Sequence, residues 1–168
     1  MPEANDKRTR RKFLQDGGTA AAVIAAVTAP ALLSAAEPET RRSTKNRKKI
    51  IGGSPSPAYS RAVRFGDMVF VAGCVGVDKN GKIQDDFETQ AGQTLLNLKE
   101  SIERSGSSIQ NVLKCTCFLK DYANFATFNK VYLKFFPKDP PARSTVVVKD
   151  FVVVGAKLEV DCVCCIDS

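Results

Sequence analysis

The chain reads as an α+β domain in the order β-β-α-β-α-β-β, with two helices covering one face of a mixed sheet. Two observations carry this reading. From Ile50 onward, charge runs give way to short alternating apolar segments; between these lie two longer segments whose apolar residues recur every three or four positions.

"SRAVRF" and "MVFVAG" flank Gly66-Asp67, the pattern of a β-hairpin, and "DKNG" (78–81) marks a second turn. In "DDFETQAGQTLLNLKESIERSG", Phe87, Ala91, Leu95, Leu98 and Ile102 share one helical stripe. Asp85 with Glu88 suits a capping box, and Gly106 a stop. "VLKCTCFL" predicts a strand. A second helix follows Asp121, with Phe125, Phe128, Tyr132 and Phe135 on one stripe and Pro137 at its end. "RSTVVV" and "KLEVDCVCCI" predict the last two strands.

In the last strand, Leu158, Val160, Cys162 and Cys164 form the helix-facing side, and Glu159, Asp161, Val163 and Cys165 the other. The preceding strand alternates Ser144, Val146 and Val148 with Arg143, Thr145 and Val147. Its register is read as placing Arg143 and Glu159 together on the helix-free face. Carboxylates mixed with Val147 and Val163 there suit burial in an oligomer with clefts.

At 168 residues, 43% hydrophobic and 26% charged, the chain can bury one real core and is not a disordered protein. It has no histidine, which excludes Ser-His and Cys-His triads and His-built zinc sites. The N-terminus differs from the rest. Arg10-Arg11 before Phe13-Leu14, an Ala-rich run broken by Gly17, Gly18 and Pro30, and small residues Ser34 and Ala36 resemble a twin-arginine export signal. The expectation is a signal peptide over 1–36 cleaved near Ala36, a basic linker over 37–49, a domain over 50–168, and a periplasmic mature protein.

The net charge of +7 falls to +5 without residues 1–36, since five Lys/Arg and three Asp/Glu leave. Six of the remaining cations lie in "RRSTKNRKK" (41–49). Excluding that run with Glu37 and Glu39 leaves 14 basic against 13 acidic residues. The domain therefore offers no basic nucleic-acid face, and the linker reads as a solvated segment suited at most to touching anionic surfaces.

"SPAYSRAVRFGDMVFVAG", "FLKDYANFATFNKVYLKFF", "PPARSTVVV" and "KLEVDCV" together resemble the reactive intermediate deaminase family (RidA/YjgF) over about 50–166. The resemblance implies a chorismate-mutase-like fold and a homotrimer with active sites between subunits. It also implies hydrolysis of 2-imino and enamine acids to 2-keto acids and ammonium, with no metal or organic cofactor. It puts the carboxylate-binding arginine at Arg143, the water-contacting glutamate at Glu159, an aromatic pocket residue at Tyr59, a backbone contact at Gly73 and a helix asparagine at Asn129. Two positions depart from the family pattern. Its Ser-Gly-Gln is here Ala72-Gly73-Cys74, and the position two after the arginine, often Cys, is Thr145, counted with the substrate contacts.

The chemistry of the pair points the same way. A guanidinium offers a planar fork to a carboxylate, and Glu159 can orient or deprotonate water and then protonate departing ammonia. Two other functions fit the residues: a binding module that holds a small carboxylate without turnover, and an RNA-cleaving or RNA-binding protein, which the near-neutral domain and missing histidine disfavour. Cys115/Cys117 and Cys162/Cys164 each point to one face of a strand and read as small core residues; a disulfide or a thiolate metal site is the alternative. Cys74 lies beside the proposed pocket.

Overall fold

The computed structural model describes residues 47–53 and 57–166. The proposed signal peptide and most of the basic linker lie outside the described residues.

Among the described residues six strands form one sheet in the order β1-β2-β3-β6-β4-β5: β1 (Lys49–Ile51), β2 (Ala62–Phe65), β3 (Met68–Val75), β4 (Val112–Leu119), β5 (Ala142–Val147) and β6 (Leu158–Cys165). All neighbours are antiparallel except β4 and β5. That parallel pair requires a crossover, which α2 (Phe125–Phe135) supplies, while α1 (Phe87–Arg104) links β3 to β4. The predicted α+β architecture is the observed one. An additional edge strand, β1, begins at Lys49, inside the segment read as linker; three residues with two cations leave too short a run for periodicity to register.

Gly66-Asp67 closes the β2–β3 hairpin, with Gly66 at φ +62°. In the second turn, the Asp78 carboxylate accepts from the Asn80 and Lys82 amides, each at 2.9 Å. The N-cap of α1 is Asp86, one residue later than expected. Its carboxylate accepts from Thr89 N–H at 2.8 Å and Thr89 Oγ1 at 2.7 Å, so no Asp85–Glu88 box forms. The rest of the α1 reading holds, with Phe87, Ala91, Leu95, Leu98 and Ile102 buried. The second helix starts after a 3-10 turn (Tyr122–Asn124), and its buried side is Phe128, Val131 and Tyr132, with Phe125 and Phe135 at the margin.

The core lies between these helices and one face of the sheet. Cys115, Cys117, Cys162 and Cys164 are buried there among Val and Leu, as small apolar residues. Two contacts hold α1 close. A Cβ at Gly76 would stand 2.5 Å from Gln90 O, so only glycine admits the helix at that distance. The buried Gln90 amide donates to Gln84 O and Gly155 O at 2.9 and 3.1 Å and accepts from Lys157 N–H at 2.5 Å, tying two loops to the helix.

Among the described residues the opposite face carries no helix. Phe65, Phe70 and Val146 are 50%, 48% and 47% exposed there, beside Ile50, Val63, Met68, Phe118 and Val163. The strand alternation corrects two readings. Arg143 is the partner of Cys115, and Val147 that of Leu119, both buried under the helices; Arg143 and Val147 therefore project to the helix side, not to the open face. The parallel pairing sets this register, and "RSTVVV" alone has too little contrast between its two sides to reveal it.

Candidate active site

Arg143 opens β5 and reaches across to α2. Its guanidinium carbon lies 4.6, 5.3 and 5.9 Å from the ring centres of Tyr132, Phe128 and Phe125, and Nη2 donates to Asn129 Oδ1 at 2.7 Å. Tyr132 and Phe128 pack edge to face, at 5.5 Å. Among the described residues Arg143 forms no ion pair with a carboxylate. Its charge is held by π faces and one amide oxygen, which orient it without neutralising it. Thr145 follows on the same side, beside Cys117, whose thiol burial pushes up to about 12.

Glu159 projects from β6 to the open face, opposite Phe118 and Val75. It packs against Gly73: a Cβ there would fall 1.8 Å from Glu159 Oε1. Burial, and secondarily the like charge of Asp161, raise its carboxyl above the ordinary value. Phe118 links Glu159 across β4 to Val146 on β5, and Arg143 lies three residues before Val146. At about 4.8 Å per strand and 3.3 Å per residue, the two backbones are roughly 14 Å apart. Their side chains leave opposite faces. Within one chain, therefore, Arg143 joins Asn129 and Thr145, Glu159 joins Gly73, and the two sets do not meet.

Tyr59 and Gly73 share a cleft of about 710 Å³. It exists because β2 covers β3 only as far as Ala72, whose N–H donates to Arg61 O at 2.9 Å, leaving the rest of the β3 edge open between Tyr59–Arg61, the 78–81 turn and α1. Cys74 lies in its wall, with Sγ 3.7 Å from Ser101 Oγ; burial raises its pKa and keeps it a thiol. Among the described residues no three His, Cys, Asp or Glu are grouped to hold a metal ion. Sequence reasoning missed the aromatic cradle of Arg143 because Phe125, Phe128 and Tyr132 read simply as a core stripe. Asn129 on the same helix was the available signal. It also missed the cleft cations Arg61, Lys79 and Arg104, which lie on separate segments.

Residues 53–166 match the family model described as Endoribonuclease L-PSP. Reactive Intermediate Deaminase A, chloroplastic, of Arabidopsis thaliana is 35% identical over 123 residues, 70% of this chain and 65% of that protein, just under two thirds of its length. A RutC family protein of Pyrococcus horikoshii is 39% identical over 62% of this chain and 81% of its own. Among solved structures, E. coli TdcF with bound serine superposes with a TM-score of 0.66 at 34% identity, over 71% of this chain and 99% of that one. Yeast Mmf1 gives 0.68 at 29%, over 72% and 100%. These likenesses confirm the chorismate-mutase-like fold, and by the extent of the family match the chain belongs to the reactive intermediate deaminase (RidA/YjgF) family.

Proposed function

We propose that the protein hydrolyses 2-imino and enamine acids to 2-keto acids and ammonium. The site we propose lies between the subunits of a homotrimer. Arg143, Asn129 and Thr145 of one protomer face Glu159, Gly73 and Tyr59 of the next. The observation that carries this reading is the guanidinium of Arg143, oriented by three rings and an amide yet without a carboxylate partner among the described residues. An oriented, unneutralised guanidinium fits a substrate carboxylate. The serine bound by TdcF carries that same group.

The rest follows from the chemistry of an imine. Water adds to C2 of the iminium form as Glu159 accepts one of its protons; Glu159 returns that proton to the carbinolamine nitrogen, the C–N bond breaks as C=O forms, and the hydroxyl proton leaves with ammonia as ammonium. A carboxylate with a raised pKa suits both directions of transfer, and such a group contributes about 10²- to 10⁴-fold. The apolar open face supports the trimer, since an exposed band containing Phe65, Phe70 and Val146 is better buried.

The test couples an amino-acid oxidase, which supplies the imine, to measurement of ammonia release. The parent protein accelerates release. Arg143→Lys keeps the charge but loses the fork, lowering kcat/KM by roughly 30- to 1000-fold. An Arg143→Lys protein as active as its parent overturns the assignment. Binding of keto acids with no acceleration of release would favour a carboxylate-binding module instead.

A further inference from the structure

The cleft beside Gly73 is too large and too polar to serve only a small imino acid. Its volume of about 710 Å³ lies in the range that takes ligands much bigger than a three- or four-carbon acid. Among the described residues five charged side chains line it, and three are cations: Arg61, Lys79 and Arg104. Each of the two anions already has a partner. Glu100 lies 3.5 Å from Arg104, and the Asp78 carboxylate caps the amides of its own turn. Among the described residues Arg61 and Lys79 have no carboxylate partner.

The wall between these cations is fixed in place. Asn97 donates to Val75 O and Val77 O, both at 2.8 Å, and its Oδ1 accepts from Gln93 Nε2 at 2.8 Å. This pins α1 to the open β3 edge and keeps the cleft from collapsing. Gly73 belongs both to the cleft and to the contact with Glu159. A substrate whose C2 lies by Glu159 therefore sits next to Gly73, the residue that Glu159's contact shares with a cleft carrying the cations Arg61 and Lys79.

We infer that the protein acts on 2-imino acids whose side chain ends in a second carboxylate, and that Arg61, with Lys79, binds that distal group. The inference rests on the deaminase reading above and deepens it by naming the substrate class. Arg61 here is a specificity residue, remote from the proton transfers.

Calorimetry on the full-length chain with two keto-acid products tests this: 2-oxobutanoate, with one carboxylate, and 2-oxoglutarate, with two. The parent should bind 2-oxoglutarate about tenfold more tightly, the scale of one charge-assisted contact. Arg61→Gln should erase that preference and leave 2-oxobutanoate affinity unchanged, and the imine of glutamate should show the same loss in KM in the ammonia assay. Arg143→Lys should weaken both ligands together. Equal affinities in the parent, or a preference that survives Arg61→Gln, overturn the inference; if Arg143 still matters, the deaminase site stands. If neither keto acid binds and no ammonia is released, the deaminase reading fails and takes this inference with it.

Discussion

The two charged groups of the proposed site are prepared by opposite means. Arg143 is surrounded: three rings and an amide from α2 converge on it, and the helix fixes its direction. Glu159 is accommodated: the strand beside it carries no side chain at Gly73, and the carboxylate fills that space. One group depends on added side chains and the other on a missing one. The first lies under the helices and the second on the bare face, so a single chain contains two halves with no means of joining them. This contrast, together with the apolar area, is the support for the neighbouring copy we propose.

The sharpest way to break that comparison is to damage each half in a different chain. Arg143→Ala and Glu159→Gln homotrimers should both be nearly inactive in ammonia release. When they are mixed, unfolded and refolded together, random assembly pairs an intact Arg143 with an intact Glu159 at about one site in four, so activity should return to about a quarter of the parent. Mixed samples that stay inactive would mean that both residues act within one chain.

Much of this arrangement was legible in the sequence, and the part that was not has a definite cause. The i+3/i+4 stripe of α1 and the alternation of β6 are local patterns, and the structure reproduces them residue by residue. The side of the sheet to which Arg143 points is a non-local property, set by pairing of β5 with β4. A half-exposed strand such as "RSTVVV" cannot reveal that by its own contrast. The capping residue moved by one position for a similar reason, since Asp85 and Asp86 are equally good carboxylates and the helix phase decides between them. The residues named for the site lie on two faces of the sheet, and that distribution is what only coordinates supply.

Smaller perturbations sharpen the comparison from each side. On the Glu159 side, Gly73→Val must displace the carboxylate, because even its Cβ would overlap Oε1; turnover should fall by about 10²-fold, the scale of one acid/base contribution, while keto-acid binding through Arg143 changes less. On the Arg143 side, Tyr132→Leu removes the nearest ring face. A cation–π contact is worth roughly 0.5–2 kcal/mol, so KM should rise about 2- to 30-fold with kcat nearly unchanged. Tyr132→Phe should restore the parent KM, since it keeps the ring face that lies against Arg143. A Phe variant as impaired as Leu would show that the ring does not position Arg143.

The smallest expected effect concerns Glu159 alone. Burial first, and the Asp161 charge second, raise its carboxyl above its ordinary value. If the ionised form takes the proton from water, kcat/KM increases with pH through that raised value, and Asp161→Asn, by removing the repulsion, should shift the acidic limb to lower pH. A limb that stays in place would belong to another group. The same shift bears on stability. A carboxylate with a raised folded-state pKa contributes stability that is full below its unfolded value and is lost as pH rises through the folded one. Above that raised value the parent has therefore lost it. Glu159→Gln, which cannot ionise, should have the higher Tm above that raised value, by a small margin because the group is largely solvated, and that margin should close as the pH falls below the ordinary carboxyl value, where the parent is protonated too. Arg143→Gln is the control: it leaves Glu159 and its surroundings in place, so its Tm difference from the parent should not change with pH in this way.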